Sequence, residues 1–248
     1  MKKRLPLLLI FSSLLLSSCG IRTNFDYEDG DSYSIGPGEV STNITNIDID
    51  WINGAIEIKN HDEDTILINE EYKGDIAEDD RLRYLVDGDT LKIKYRKASN
   101  HPIHIKATKN LVLTVPSSLK IDSYLIDSIS GEVKGNLYAN IIKIDGVSGG
   151  ADLTANCDNF ICNFISGNSN ITFSNSPNEI KLNSVSGDGN IHLPNSTGFI
   201  LSFKAISGSV DISEDFNDVS EDKNTYKYGD ESIKINVSTT SGNINISK

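Results

Sequence analysis

The chain has 248 residues and a formal net charge of −12 at pH 7, because 35 acidic residues outnumber 23 basic ones. A chain this acidic is not held to nucleic acid or to an anionic membrane surface by its own charge. Its length is sufficient for one elongated domain or two small ones.

Residues 1–18 have the layout of a secretory signal. Lys2, Lys3 and Arg4 precede an apolar run over residues 5–16, which is too short to span a bilayer. We therefore expect residues 1–18 to be removed. The net charge then changes from −12 to −15, because three positive charges are lost with the signal.

The end of this segment carries a more specific motif. Leu16, Ser17, Ser18 and Cys19 resemble the lipobox of bacterial lipoproteins, in which the signal is removed before a cysteine that carries lipid on its sulfur. The resemblance implies acylation of Cys19, with palmitate as a typical chain, and a place on the extracytoplasmic face of the cell membrane. The alternative is an ordinary cleaved signal with a cysteine nearby. No later segment reaches membrane-spanning length, so the lipid is expected to be the sole anchor.

Residues 19–40 are polar and acidic. They include the run Asp26, Tyr27, Glu28, Asp29, Gly30 and Asp31, followed by serine, glycine and proline. Such a composition buries too little apolar surface to order itself. The sequence predicts a flexible acidic tether between the membrane and the folded part.

Residues 41–118 predict an irregular β region that contains a first coil and caps a more regular structure. Ile47, Ile49 and Trp51 alternate with polar residues ahead of Asn53 and Gly54. Residues 75–84 predict a short turn of helix, and Asp87-Gly88 predicts a hairpin. Further strands are expected at residues 65–72, 81–86, 90–95, 103–105 and 111–115.

Residues 119–248 repeat one phrase, in which Ser-Gly is flanked on both sides by alternating apolar residues. Successive glycines are 18, 18, 20, 21 and 34 residues apart, a spacing typical of solenoid coils with one insertion before the last. Period-two alternation around each glycine indicates two half-buried strands joined at a corner. The sequence predicts an all-β fold, specifically a parallel β-solenoid with Ile144 in its core, and the alternative is an antiparallel sandwich. The glycines are Gly131, Gly149, Gly167, Gly187, Gly208 and Gly242.

The third and fifth positions after these glycines are polar and are predicted to point outward. A flat array of Asn, Asp, Thr and Ser can hydrogen-bond sugars or a protein partner, and the alternative is the ordinary wet face of a sheet. The candidate binding residues are Asp152, Asn170, Asn190 and Asp211 at the third position, and Thr154 and Thr172 at the fifth.

Three motifs that resemble reaction or metal sites are not accepted as such. Ser148 lies in a G-x-S-x-G pattern, but a strand follows it where a nucleophile elbow needs a helix. The acidic residues from Asp211 to Asp222 resemble a calcium loop, but Phe216 occupies the position where that turn needs glycine. Cys157 and Cys162 lack a histidine cluster for zinc, and a disulfide between them stays open. No metal or cofactor is predicted.

Several motifs together resemble a bacterial putative-adhesin family, a domain of unknown function with β-strand repeats. They are Asp50-Trp51-Ile52-Asn53-Gly54-Ala55-Ile56, Leu113-Thr114-Val115-Pro116, Ile191-His192-Leu193-Pro194 and the Val/Ile-Ser-Gly units. The resemblance covers roughly residues 44–247. It implies an envelope-associated β-solenoid, often on a lipoprotein.

The sequence therefore predicts a non-enzymatic, lipid-anchored envelope protein that binds or scaffolds, in adhesion or envelope-stress signalling. Its expected partners are the membrane, through the lipid, and a glycan or an envelope protein. The alternative is a solenoid polysaccharide lyase or hydrolase. Such an enzyme needs clustered carboxylates and a basic residue, and no basic residues are grouped beside Asp152 or Asp211.

Overall fold

The computed structural model describes residues 25–41, 43–99, 108–195 and 197–248. Within these ranges the chain forms eighteen β-strands and two short 3-10 turns, Gly30–Ser32 and Glu78–Asp80, so the all-β prediction is confirmed. The strands are β1 Ser34–Ile35, β2 Gly38–Ser41, β3 Asn46–Asn53, β4 Ile56–His61, β5 Thr65–Tyr72, β6 Arg83–Asp87, β7 Thr90–Lys94, β8 Lys109–Pro116, β9 Ile121–Asn156, β10 Asn159–Phe173, β11 Glu179–Ser186, β12 Gly189–His192, β13 Phe199–Ser207, β14 Val210–Ile212, β15 Ser220–Asp222, β16 Thr225–Tyr228, β17 Ile233–Ser241 and β18 Ile244–Ser247.

The repeating unit, which we call a coil, consists of a first segment before the Ser-Gly corner and a second segment after it. In the coil of residues 141–156, Ile142 and Ile144 before the corner and Leu153 after it are buried, as the alternation predicts. At the corner, Gly149 has φ 137°. A Cβ there would lie 2.1 Å from the carbonyl oxygen of Gly131 in the neighbouring coil, so a larger residue does not fit. The corners therefore stack glycine on glycine.

Neighbouring coils pair in parallel, with equivalent residues of successive repeats side by side. In β9 and β10, Ile144 pairs with Cys162 and Ser148 pairs with Ser166. In β10 and β11, Cys162 pairs with Leu182. This register lets each coil bury its apolar side chains against like residues of its neighbours, so the core runs along the stack.

At the C-terminal end, the order of coils in space differs from their order in the chain. The last coil, β17 and β18, lies between β11/β12 and β13/β14, because Ile235 pairs with Ile180 on one side and with Leu201 on the other. The spacing of 34 residues before the last glycine contains the insertion that allows this return. Repeat spacing alone did not indicate the exchange, since either order preserves the pattern.

The insertion, residues 213–232, covers part of the outer coil and holds the chain end. Its strand β16 pairs antiparallel with residues Phe199 to Ser202 of β13. Phe216 is buried, and its ring meets that of Tyr228 edge-on at 5.0 Å. The Lys248 Nζ lies 4.7 Å from the centre of the Phe216 ring and donates a hydrogen bond of 2.7 Å to the Asp215 carbonyl. Lys248 thereby fastens β18 to the insertion.

A similar exchange occurs at the N-terminal end. We expected the first coil to begin at Asn46. Instead, β7 pairs in parallel with β3 and β8 pairs in parallel with β4, so β7 and β8 form the outer layer. Antiparallel strands extend this layer, with β6 and then β1 on β7, and β5 and then β2 on β8. The predicted hairpin is confirmed, since Asp87 pairs with Thr90. The strand predicted at residues 103–105 lies outside the described residues.

The tether prediction is wrong between Phe25 and Val40. Phe25 and Tyr27 meet edge-on with ring centres 5.7 Å apart, and the ring of Tyr27 lies 4.9 Å from that of Tyr33, which is buried. The Tyr27 hydroxyl donates to the Arg96 carbonyl at 2.8 Å. Aromatic burial outweighs the acidic composition here, because the charged side chains stay exposed while the rings pack. Residues 1–18, Cys19 and the rest of the segment before Phe25 lie outside the described residues.

A buried ion pair lies within the outer N-terminal layer, β1, β2 and β5 to β8, which we call the N-terminal cap. The Lys109 Nζ lies 2.8 Å from a Glu70 carboxylate oxygen, and both side chains are fully buried. The ammonium lies 4.5 Å from the Tyr95 ring centre and 5.2 Å from that of Trp51. Burial lowers the pKa of Lys109 to about 8, against the attraction of Glu70. Burial alone would raise the pKa of Glu70, but hydrogen bonds from Lys109 and Arg81 outweigh it, and that pKa is lowered.

Candidate binding face

The outward side of the second segments forms one polar surface, which we call the polar face. It consists of the third and fifth residues after each corner glycine. At the third position the structure brings together all four predicted residues, and each of them is exposed. Parallel pairing gives the spatial order Asp152, Asn170, Asn190, Asn245, Asp211. Asn245 belongs to the last coil, which lies between the coils of Asn190 and Asp211. Asn190 and Asp211 are therefore not neighbours.

The fifth position forms a parallel row beside the first. Thr154 pairs with Thr172, which pairs with His192, which pairs with Ser247. Thr172 is exposed and the other three are half-buried. The His192 Nδ1 and the Ser247 hydroxyl are 2.6 Å apart, which fixes the orientation of the imidazole ring.

A third row of side chains comes directly after the corner glycines, and its hydrogen bonds stabilise the stack of coils. The Asp188 amide donates to the Asn168 side-chain oxygen at 3.0 Å, and the Asn243 amide donates to Asp188 at 2.7 Å. The Ser209 amide donates to Asn243 at 3.2 Å. These side chains link one coil to the next at the corner. These contacts were not predicted, although the sequence places an Asn or Asp directly after Gly167, Gly187 and Gly242.

The third-position row differs because part of its hydrogen-bonding capacity is unused. Asn170 donates to Asp152 at 2.9 Å. The side chains of Asn190, Asn245 and Asp211 have no hydrogen-bond partner among the described residues. A primary amide has two donor hydrogens and an acceptor oxygen. Asn190 and Asn245 therefore present, on adjacent coils, groups that can donate to and accept from a ligand.

The outward side of the first segments is chemically different. Asn183 donates to Asn163 at 2.7 Å, and Asn163 donates to Asp145 at 2.5 Å, so this ladder satisfies itself. Leu125 on this side is 44% exposed, and Ile129 is also exposed. Its amides are internally paired and its surface is partly apolar, which makes it a poorer site for a polar ligand than the polar face.

The residues of the three rejected motifs lie at a corner, in the core and in the insertion. Ser148 is exposed at a corner and stacks on the equivalent Ser166. Cys157 and Cys162 are free and buried, and burial raises the pKa of both thiols to about 12. In the segment that resembles a calcium loop, Asp215 accepts a hydrogen bond from the Ser213 hydroxyl at 2.9 Å. Across the described ranges, no group of three or more His, Cys, Asp or Glu side chains is arranged to hold a metal ion.

The repeats are similar to a known protein family. The family Toastrack DUF4097 matches residues 138–247, which confirms over these residues the predicted resemblance to a domain of unknown function with β-strand repeats. No curated protein matches the sequence. Within the part of the chain that the structure describes, no helix is long and apolar enough to cross a membrane.

Several solved structures are similar to the chain. A putative cell adhesion protein from Clostridium sporogenes is 15% identical, with 86% of this chain and 99% of that chain covered and a TM-score of 0.47. A putative adhesin from Parabacteroides distasonis is 11% identical, with coverage of 88% and 96% and a TM-score of 0.33. A putative lipid binding protein from the same organism is 14% identical, with coverage of 86% and 97% and a TM-score of 0.30.

Proposed function

We propose that this protein is a non-enzymatic, lipid-anchored component of the cell envelope that binds its partner through the polar face. The observation that carries the proposal is the register of the third-position row. It aligns Asp152, Asn170, Asn190, Asn245 and Asp211 on one side of the stack, about 4.8 Å apart. Four of these five residues are exposed and Asn245 is half-buried, and polar groups repeated at this spacing suit an extended partner.

The scaffold beneath the polar face is proposed to be a β-solenoid. In support, equivalent residues pair in parallel from coil to coil, one repeat per layer. In such a scaffold each coil holds its neighbours in place, so the outward rows are displayed on rigid strands. Repeated weak contacts to one extended ligand then add up to firm attachment.

The proposed anchor is lipid on Cys19. Cys19 precedes Phe25 by six residues, and Phe25 packs against Tyr27 at the N-terminal end of the fold. Six residues span at most about 20 Å. Lipidation would therefore hold the N-terminal cap close to the membrane.

Binding is preferred to catalysis because of the separation of carboxylates on this face. Asp152 and Asp211 are separated by the coils of Asn170, Asn190 and Asn245, which makes four spacings or about 19 Å. Glycosidase carboxylates are about 5 to 9.5 Å apart. These two aspartates therefore do not form a hydrolytic pair, which is the specific observation against the hydrolase alternative.

The test is co-sedimentation of the full-length protein with wall material from its own cells. We expect the triple variant Asn170→Ala, Asn190→Ala, Asp211→Ala to bind at least about ten-fold more weakly, because several hydrogen-bonding groups are lost together. Its melting temperature should stay within about 2 °C of the parent, since all three side chains are exposed.

The control carries Asn159→Ala and Asn236→Ala, which lie on the outward side of the first segments. This variant should bind like the parent. Undiminished wall binding by the folded triple variant would reject the polar face as the site. Release of soluble fragments from the wall material by the pure protein would reject the non-enzymatic part.

A further inference from the structure

We infer that the ligand of the polar face is a neutral, hydroxyl-rich polysaccharide whose chain lies along the stack of coils. This inference rests on the proposed function and specifies its ligand class. The site is an amide patch on three adjacent coils. It consists of Asn170, Thr172, Asn190, His192, Asn245 and Ser247.

Charge selects the class of ligand. With His192 neutral, none of the six side chains carries a charge, whereas the chain as a whole has a net charge of −12. Asp152 and Asp211 flank the patch on the next coil at either end. A polyanion along the stack would be repelled by Asp211 at one end, whereas Lys134 partly offsets the charge of Asp152 at the other end. The centre offers dipoles in place of charges, which suits an uncharged polymer.

Hydrogen bonding selects the functional group. The free amides of Asn190 and Asn245 each donate and accept, and a sugar hydroxyl does the same. Beside them, the exposed Thr172 hydroxyl adds a further group, and the His192 ring is held by Ser247. A ligand with many neighbouring hydroxyls can use these groups together, whereas an apolar peptide would leave the amides unpaired at a cost in affinity.

Geometry selects the direction of the chain. The third-position amides recur once per coil, so they follow the stacking direction. Two coil spacings are about 9.6 Å. That distance is close to the length of one extended disaccharide unit in a β-1,4-linked glycan, so every second coil meets an equivalent sugar. A chain lying across the stack would meet the amides of a single coil only.

The other polar rows are poorer sites for such a ligand, because their side chains are hydrogen-bonded within the protein. The amide ladder of Asn163 and Asn183 is satisfied within itself. In the row directly after the glycines, the side-chain oxygens accept hydrogen bonds from backbone amides of the next coil, as Asn168 does from Asp188. Unused amides on adjacent coils therefore distinguish the patch from the other polar rows.

The experiment is isothermal titration of the full-length protein, held in a non-glycosidic detergent, with defined oligosaccharides. The probes are β-1,4-linked glucose and N-acetylglucosamine oligomers of two to six units, with alginate oligomers as the anionic comparison. We expect neutral oligomers to bind, more tightly as length increases, and alginate not to bind. The double variant Asn190→Ala, Asn245→Ala should lower the affinity at least about ten-fold.

The matched control is again Asn159→Ala with Asn236→Ala, which should stay within about two-fold of the parent. Absence of binding by the parent to every neutral oligomer, or an equal loss in the control, would overturn the inference. If neutral oligomers fail while the triple variant still loses wall binding, the inference is wrong and the proposed function stands. If the folded triple variant keeps its wall binding, the proposed function is wrong as well.

Discussion

Asp127 shows how stacking identical positions affects a single residue. It points outward from a first segment and pairs with Asp50 of the neighbouring coil. Partial burial of the carboxyl group between neighbouring coils raises the pKa of Asp127 to about 6, and the charges of Asp50 and Asp145 add to the shift. A parallel register that aligns like residues also aligns like charges, so this column of carboxylates is a place where the fold is weakened at neutral pH.

We predict that Asp127→Asn stabilises the protein at pH 7. The folded pKa of Asp127 is about 6 and the unfolded one about 4, so the folded state binds more protons between these values. The associated stability is fully present below about pH 4 and is lost as the pH rises through 6. The variant should gain up to about 1 kcal/mol at pH 7, the range of exposed charge pairs, and nothing at pH 4.

Thermal unfolding at pH 4, 5 and 7 measures this difference. Asp62→Asn, in the exposed loop after β4, is the control and should show no such trend. A variant whose advantage over the parent is the same at pH 4 as at pH 7 would contradict the prediction.

At this scale, local pattern predicted side-chain direction well. Ile144 and Leu153 are buried and Asn190 is exposed, because period-two alternation acts within one strand. The burial of Lys109 was not predictable from its neighbours in sequence. Its partner Glu70 comes from another strand, and only the pairing of β5 with β8 brings the two together.

The element that departs most from expectation is the last coil, β17 and β18. It pairs with β11/β12 on one side and with β13/β14 on the other. Sequence could not assign this place, because Ile235 and Leu201 fit the same pattern and either could pair with Ile180. Which of the two coils pairs with β11 depends on contacts between residues distant in sequence, including the contact between Phe216 and Lys248.

We predict that deleting residues 233–248 disorders β13 and β14 although both strands remain in the chain. The deletion removes the parallel partners of both, and a coil in a repeat protein depends on its nearest neighbours. Amide exchange in residues 199–212 should become at least about a hundred-fold faster, while residues 141–156 keep their protection. Lys248→Ala, which leaves the coil in place, is the control. Retained protection of residues 199–212 in the deletion variant would show that β13 can dock directly on β11.

For the whole molecule, the two outward surfaces have separate characters. The polar face carries unused amides, and the other side carries an internally paired ladder with exposed Leu125 and Ile129. The ordered segment from Phe25 joins the cap at the N-terminal end, so the coils extend away from the proposed anchor.

We predict that Cys19→Ser abolishes fatty-acid labelling of the protein and releases it from the membrane fraction. The expected reason is that the proposed lipid on this sulfur is the attachment. Metabolic labelling followed by fractionation measures both effects, and Cys157→Ser is the matched control because that thiol is buried in the core. Equal label in the Cys19 variant and the parent would rule out this anchor.

The exchanged last coil has a consequence for biogenesis. During synthesis, residues 199–212 leave the ribosome before residues 233–248. During that interval the edge of β11 has no permanent neighbour, and the strand that emerges next is not the one that finally covers it. Correct assembly therefore waits for the final residues of the chain. Early docking of β13 on β11 would be a misfolded state that competes with correct assembly of the nascent protein.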